Sequence, residues 1–184
     1  MASVLIPLAT GFEELEAVTI IDLLRRAGVE VTVAGIEGPD AVTGSRGTRI
    51  LPDVDLDEVV EQTFDMITLP GGLPGADNLN ADPRIHTLLK RMASEGRYTT
   101  AICAAPKVLG NAGLLDDKRA TSFPGHLEAL ERNAIHIVNE PVVMDGKVIT
   151  SRGPGTAMDF ALSLIEELCG KPTRDEVEAP LQRP

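Results

Sequence analysis

The chain is short of cysteine and of basic charge, and it has no long apolar run. Two cysteines in 184 residues are too few for a disulfide framework. Lys plus Arg number 17 against 28 Asp plus Glu, a formal net charge of −11. That balance argues against nucleic acid or an anionic membrane as a partner, because both require concentrated positive charge. No apolar stretch approaches the ~18 residues of a membrane span. The opening Met1-Ala2-Ser3-Val4-Leu5-Ile6 lacks the basic region of a signal peptide, so a reducing cytoplasm is the expected location. CxxC, HExxH and His/Cys clusters are missing, and no metal site is expected. GxGxxG and Walker patterns are missing as well.

What is present is a globular composition. Hydrophobic residues make up 43% and charged residues 24%, which suits one domain over 1–184 with a substantial core. Apolar runs at Ser3–Leu8, Val29–Ile36, Asp65–Leu69 and residues 98–102 read as strands, with shorter ones at Arg119–Ser122 and Ile135–Val138. Val142–Thr150 reads as a hairpin turning at Asp145-Gly146. Helices are expected from about Phe12 to Ala27, with Thr10 and Glu13 as a capping box and Gly28 as the stop. Others are expected at Leu56–Val60, at Asp82–Glu95 with Asp82 as N-cap and Pro83 first, at Leu127–Arg132, and at about Thr156–Cys169. Thr43–Leu51 reads as an irregular strand region, Pro74–Ala81 as a loop, and Lys171–Pro184 as one helical turn that then frays. Strands alternating with helices imply a doubly wound, mostly parallel sheet sandwiched between helices, with a ligand crevice at the carboxyl ends of the strands.

Chemistry concentrates at three strand exits on that edge. Thr99-Thr100-Ala101-Ile102-Cys103 is a buried strand that stops at a cysteine and passes at once into a helix, with Pro106 in the first turn. Such a junction lifts the sulfur clear of the sheet and faces it to the helix dipole, and a thiolate that is near complete at neutral pH is expected. The competing reading of Cys103 is a small core hydrophobe. Glu16 lies on the apolar stripe of the first helix, between Phe12 and Ile20. A buried carboxyl must be paired or protonated, and it serves either structure or chemistry. Glu13 and Glu14 fall in the first turn, where negative charge suits the dipole. Gly71-Gly72 follow a buried strand and permit backbone N–H groups to point into a cleft, although an ordinary strand-exit turn explains them too. Cys169 reads as core filler.

Four segments stand in order along the chain: Gly11-Phe12-Glu13-Glu14-Leu15-Glu16-Ala17, Leu69-Pro70-Gly71-Gly72, Ala101-Ile102-Cys103-Ala104-Ala105-Pro106, and Thr150-Ser151-Arg152-Gly153-Pro154-Gly155-Thr156. Together they resemble the ThiJ/PfpI superfamily, within it the DJ-1 group and its bacterial YajL-type members. The resemblance runs from Val4 to about Lys171. It implies a flavodoxin-like α/β fold and a homodimer. It implies that Cys103 is the nucleophile, Glu16 its protonated partner, and Gly72 and Ala104, beside Gly71, the N–H oxyanion site. It implies that Arg46 reaches across the dimer, that Arg152 lies near the interface, and that Glu13 contributes there. Where human-type members carry a histidine near the cysteine, this chain has Phe123. His126, three residues on, reads either as its substitute or as a surface histidine at a helix N-terminus. Gly44 and Leu51 stand where the family's further oxidisable cysteines lie.

The resemblance implies a cofactor-independent enzyme of glyoxalase III or deglycase type. Its substrates would be reactive dicarbonyls such as methylglyoxal, free or attached to proteins or nucleotides. The alternative is a redox sensor or redox-regulated chaperone that works through oxidation of Cys103.

Overall fold

The computed structural model describes residues 1–130 and 134–183. In chain order the first half comprises β1 (Ser3–Leu8), α1 (Glu14–Arg26), β2 (Glu30–Gly35), a small hairpin of β3 (Val42–Thr43) and β4 (Arg49–Ile50), β5 (Val54–Asp55), α2 (Leu56–Val59), β6 (Met66–Leu69), α3 (Gly75–Ala81) and α4 (Pro83–Ser94). The second half comprises β7 (Tyr98–Ile102), α5 (Pro106–Asn111), β8 (Arg119–Ala120), β9 (His136–Ile137), β10 (Val142–Asp145), β11 (Val148–Ser151), α6 (Ala157–Cys169) and α7 (Lys171–Glu178).

Seven strands form one sheet in the order β10-β11-β7-β6-β1-β2-β5. All neighbours are parallel except β10 against β11. The run β2-β1-β6-β7-β11 is the 2-1-3-4-5 order of flavodoxin-like folds, whose strand order reverses beside the first strand. The exits of β1, β6 and β7 therefore open together at that switch point.

Alternation along the strands supplies two cores. Leu5, Ile67, Leu69 and Ala101 face Ile85, Leu88 and Leu89 of α4 and Val108 and Leu109 of α5. Val4, Ile6, Leu8 and Ile102 face Ile20 and Leu24 of α1 and Phe160, Leu164 and Ile165 of α6. Each such fully buried Leu, Ile or Phe side chain contributes about 1.5–3 kcal/mol over leaving it exposed. α4 starts as its sequence predicts, with the Asp82 carboxylate accepting the Arg84 N–H at 2.9 Å and Pro83 at the first position.

Several expectations are corrected. Residues 74–81 are not simply a loop, because α3 occupies Gly75–Ala81. Gly75 lets that turn approach β1's exit, where a Cβ would stand 2.6 Å from the Phe12 nitrogen, and Ala76 and Leu79 are buried. Tertiary packing thus overrides the Gly/Asn content of the segment. α1 begins at Glu14 rather than Phe12, and Thr10 does not cap it. The Thr10 hydroxyl instead donates to Glu37, and the Glu13 N–H donates to the Gly71 carbonyl at 2.9 Å. The hairpin pairs Asp145 with Val148, which places its two-residue loop at Gly146-Lys147, one residue later than read. The tail carries the eight-residue α7, held by Arg174 against Glu178 at 3.0 Å and by the buried Val177. The helix read at 127–132 is one 3-10 turn at Glu128–Leu130; Glu131 and Arg132 lie outside the described residues. Among the described residues no helix is long and apolar enough to cross a membrane.

Candidate active site

Glu16 is built into the buried face of α1 with Ala17, Ile20, Leu23 and Leu24. Helical spacing forces it there, since it falls one turn before Ile20 on the buried face. Its side chain has no solvent exposure. Oε2 accepts the Gly71 N–H at 2.8 Å, while Oε1 is buried with no ordinary hydrogen-bond partner. A charged carboxylate left in that state costs more than a protonated carboxyl.

Gly71 is glycine because nothing larger fits. A Cβ at this position would stand 2.6 Å from the Cys103 Cβ and 2.7 Å from Glu16 Oε2. Gly72 has φ +91°, and a Cβ there would meet the Glu13 nitrogen at 2.4 Å. The Gly-Gly pair therefore lets the β6 exit lie directly against Cys103.

Cys103 is a non-glycine residue with φ +65°, a conformation that costs on the order of 1–3 kcal/mol and persists only when its surroundings impose it. Two backbone ties impose it here. The Cys103 N–H donates to the Ser151 carbonyl at 2.9 Å, and the Phe123 N–H donates to the Cys103 carbonyl at 2.8 Å. This is a nucleophile-elbow geometry, with α5 following at Pro106.

Burial pushes the Cys103 thiol up to about 12, and the charge and hydrogen bonding of Glu16 add to it. The N–H groups of Gly72 and Ala104, which hydrogen-bond the sulfur, oppose this. Burial likewise pushes Glu16 up to about 7, against its contacts with Cys103 and the Gly71 N–H. Desolvation of the sulfur and the carboxyl beneath it thus oppose the thiolate expected from the helix dipole, and the Gly72 and Ala104 N–H groups favour it. The sulfur and the carboxyl form one coupled acid pair, and the pair gives up its first proton near neutrality.

A cleft of about 260 Å³ opens above the sulfur, lined by Cys103, Ala104, Gly72, Leu73, Pro154, Glu13, Ser45, Arg46, Phe123 and His126. Of the residues singled out from the sequence, Cys103, Gly72, Ala104, Glu13 and Arg46 meet here, with Glu16 and Gly71 beneath. Arg152 does not join them: its guanidinium donates to Asn139 at 2.9 Å. His126 is half-buried and lines the cleft wall. Two contributors have no signal in the sequence. Ser45 lines the cleft, and its hydroxyl donates to Glu13 at 3.2 Å and to Glu14 at 3.1 Å. Glu14 Oε1 also accepts the Arg46 N–H at 2.6 Å and the Thr48 N–H at 3.3 Å. Glu14 thereby clamps the β3–β4 turn over the site across more than 30 residues of sequence. Among the described residues no group of three or more His, Cys, Asp or Glu could hold a metal ion.

A strained cysteine above a buried carboxyl, at the switch point of a flavodoxin-like sheet, places the chain among α/β proteins with a cysteine at a strand-to-helix elbow. Comparison with known proteins narrows this. The profile of the DJ-1/PfpI family matches residues 2–167. Protein dj-1beta of Drosophila melanogaster is 46% identical over 175 residues, covering 95% of this chain and 94% of that protein. Its crystal structure superposes with a TM-score of 0.94 at 45% identity, covering 98% and 97% of the two chains. Protein DJ-1 homolog A of Arabidopsis thaliana is 43% identical over 97% of this chain, which spans only 46% of that protein's length. The Caenorhabditis elegans protein named glutathione-independent glyoxalase DJR-1.2 is 38% identical, covering 92% of this chain and 89% of its own. The chain belongs to the DJ-1/PfpI family.

Proposed function

We propose that this protein is a cofactor-independent glyoxalase of the glyoxalase III type, with deglycase action on early carbonyl adducts, and that Cys103 and Glu16 carry the chemistry. One observation carries this reading: the orphaned Oε1 of Glu16 lies buried beneath an elbow cysteine whose sulfur receives two backbone N–H groups. The relative named as a glyoxalase supports it.

The sulfur attacks the aldehyde carbon of methylglyoxal. The thiol proton passes to Glu16 as the protonated carboxyl gives its own proton to the developing alkoxide, and a neutral hemithioacetal results. The N–H groups of Gly72 and Ala104 stabilise charge that develops on the substrate oxygen. Rearrangement of the hemithioacetal to a thioester moves hydrogen from C1 to C2. Water then releases lactate and the thiol. Glu16 must be protonated to act first as acid, so turnover should fall as pH rises through about 7, where Glu16 ionises. The reading also includes a homodimer in the cytoplasm, with exposed Arg46 offered to a second copy at the cleft edge.

The test is lactate formed from methylglyoxal by wild type, Cys103→Ala and Glu16→Gln. Lactate is the readout because loss of adducts alone follows from removing free methylglyoxal. A large fall in both variants supports the reading. No lactate from wild type, together with selective peroxide oxidation of Cys103, would replace it with the sensor reading.

A further inference from the structure

The rearrangement needs a carrier for the C1 hydrogen. Glu16 is engaged with the oxygen protons in this reading, so the carbon-bound hydrogen needs a second group that faces the cleft. His126 is the histidine of that wall.

We propose that His126 is a catalytic base of this chain: its imidazole removes the C1 hydrogen of the sulfur-bound hemithioacetal as a proton and returns it to C2, while Glu16 handles the oxygen protons. This rests on the carbonyl reading above.

Three features place the ring for that task. The turn 123–126 is tied to the nucleophile itself, through the Phe123 N–H on the Cys103 carbonyl at 2.8 Å. The turn closes with the His126 N–H on the Phe123 carbonyl at 3.2 Å, and Gly125 at φ +92° permits it. The Phe123 ring then meets the imidazole edge-on, with centroids 6.2 Å apart and an interplanar angle of 64°. The surroundings keep the ring neutral and therefore basic. Partial burial lowers its pKa below the ordinary histidine value of 6.5, and Lys107 on α5 adds to this. Asp77 on α3 and Glu128 oppose it, but Asp77 is ion-paired with Lys107. Glu13 and Arg46 share the cleft and face the same space.

The proton inventory closes. As His126 takes the C1 proton, the C1–H electron pair forms the C1=C2 bond and the C2 carbonyl oxygen takes the proton of Glu16. This leaves an enediol, an imidazolium and a carboxylate. The imidazolium then protonates C2, the C1 hydroxyl returns its proton to Glu16, and a thioester remains with both residues restored. Neutral His126 and protonated Glu16 are needed together, so the rate should be bell-shaped in pH. The acid limb belongs to His126 below 6.5 and the basic limb to Glu16 near 7.

The experiment compares lactate formation from pH 5 to 9 by wild type, His126→Ala, and His126→Ala with added imidazole, beside the rate at which iodoacetamide alkylates Cys103. The variant should lose about 10²-fold in turnover and lose the acid limb. Imidazole should restore several-fold, and alkylation should change by less than about twofold, because the ring borders open solvent and does not support the sulfur. A variant that keeps the acid limb and loses less than about threefold would overturn the assignment. So would a loss that imidazole leaves unrescued while alkylation shifts, the mark of a merely structural residue. Failure of the carbonyl reading shows separately, as absence of lactate from wild type, and it removes the role of His126 with it.

Discussion

Beneath the Cys103 sulfur, every neighbour is buried and held by backbone. Glu16 has no exposure, Gly71 has no room for a Cβ, and Cys103 is fixed at φ +65° from both sides of its peptide unit. At the rim the wall is made of side chains on turns: Ser45 and Arg46 on the β3–β4 turn, and His126 on the turn after Phe123. Floor groups interact in low dielectric, where a displaced charge or an atom out of place costs most. Rim groups compete with water. His126 is the exception, because its ring acts on the substrate itself; for the other groups, effects should rank from floor to rim.

The largest effect belongs to Cys103→Ala, expected to remove lactate formation to background, a loss of at least about 10³-fold, while the variant still folds. Thermal melting beside the rate assay checks both parts. Glu16→Gln follows, with about 10²–10⁴-fold lost in turnover. It should also change how stability depends on pH. The unfolded chain ionises Glu16 near 4.5 and the folded protein near 7, so between these values the unfolded state binds fewer protons. The stabilisation is complete below about 4.5 and is lost as pH rises through 7, by about 3 kcal/mol. Chemical denaturation of wild type from pH 4 to 8 should show that decline, and Glu16→Gln should flatten it. An equal decline in the variant would assign the dependence to other groups.

Gly71→Ala tests whether the floor is as tight as it is drawn. The added methyl would press on the Cys103 Cβ at 2.6 Å and Glu16 Oε2 at 2.7 Å, and neither can retreat. We expect a destabilisation of about 1–3 kcal/mol from overpacking. Turnover should drop by roughly 10-fold or more, since about 1 Å of misplacement at a catalytic pair is enough. A Gly71→Ala variant that stayed fully active and stable would mean that the floor can yield.

The same contrast decides what could be read from the sequence. The floor was legible because each of its signals is local. A carboxylate sits on an apolar helical stripe, two glycines follow a buried strand, and a cysteine stands between a strand and a helix. The sheet was legible from the apolar runs in the same way, apart from two-residue β5, which is too short to show a period. The rim was not legible. Ser45 and Glu14 meet across 31 residues, and the His126 ring faces the cleft only because a backbone tie to Cys103 orients its turn. Local pattern even misled at Thr10. The TxxE spacing reads as a capping box, but Gly11 at φ +88° and the Glu13 N–H on Gly71 delay α1 to Glu14. The ionisation of Cys103 is not legible for the same reason. The helix dipole is visible in sequence, whereas the burial of the sulfur and the carboxyl below it belong to the assembled fold.

Glu14→Gln probes the joint between the two regions. Its carboxylate accepts from two backbone N–H groups and the Ser45 hydroxyl, so the variant weakens the clamp on the rim without touching the floor. We expect a stability loss of about 1 kcal/mol, from charge-assisted hydrogen bonds becoming ordinary ones. KM for methylglyoxal should rise a few-fold at nearly unchanged kcat, about what a loss of that size in binding gives. A fall in kcat equal to that of Glu16→Gln would show that Glu14 itself takes part in the chemistry.

Arg46→Ala should have the smallest effect. The guanidinium is exposed, and the bond it makes within the chain, to the Ser45 carbonyl, is 3.4 Å long. An exposed cation contributes roughly 0–1 kcal/mol to a partner, and methylglyoxal carries no charge for it to meet. Stability should stay within about 0.5 kcal/mol, and KM for methylglyoxal should change by less than about fivefold. Sedimentation of the variant adds the discriminating measurement. If Arg46 serves a second copy of the chain, the dimer should dissociate at a higher concentration than wild type while turnover per site is retained. If turnover collapses with the dimer intact, the cation acts inside the cleft, and the division between a working floor and a solvated rim would have to be redrawn around it.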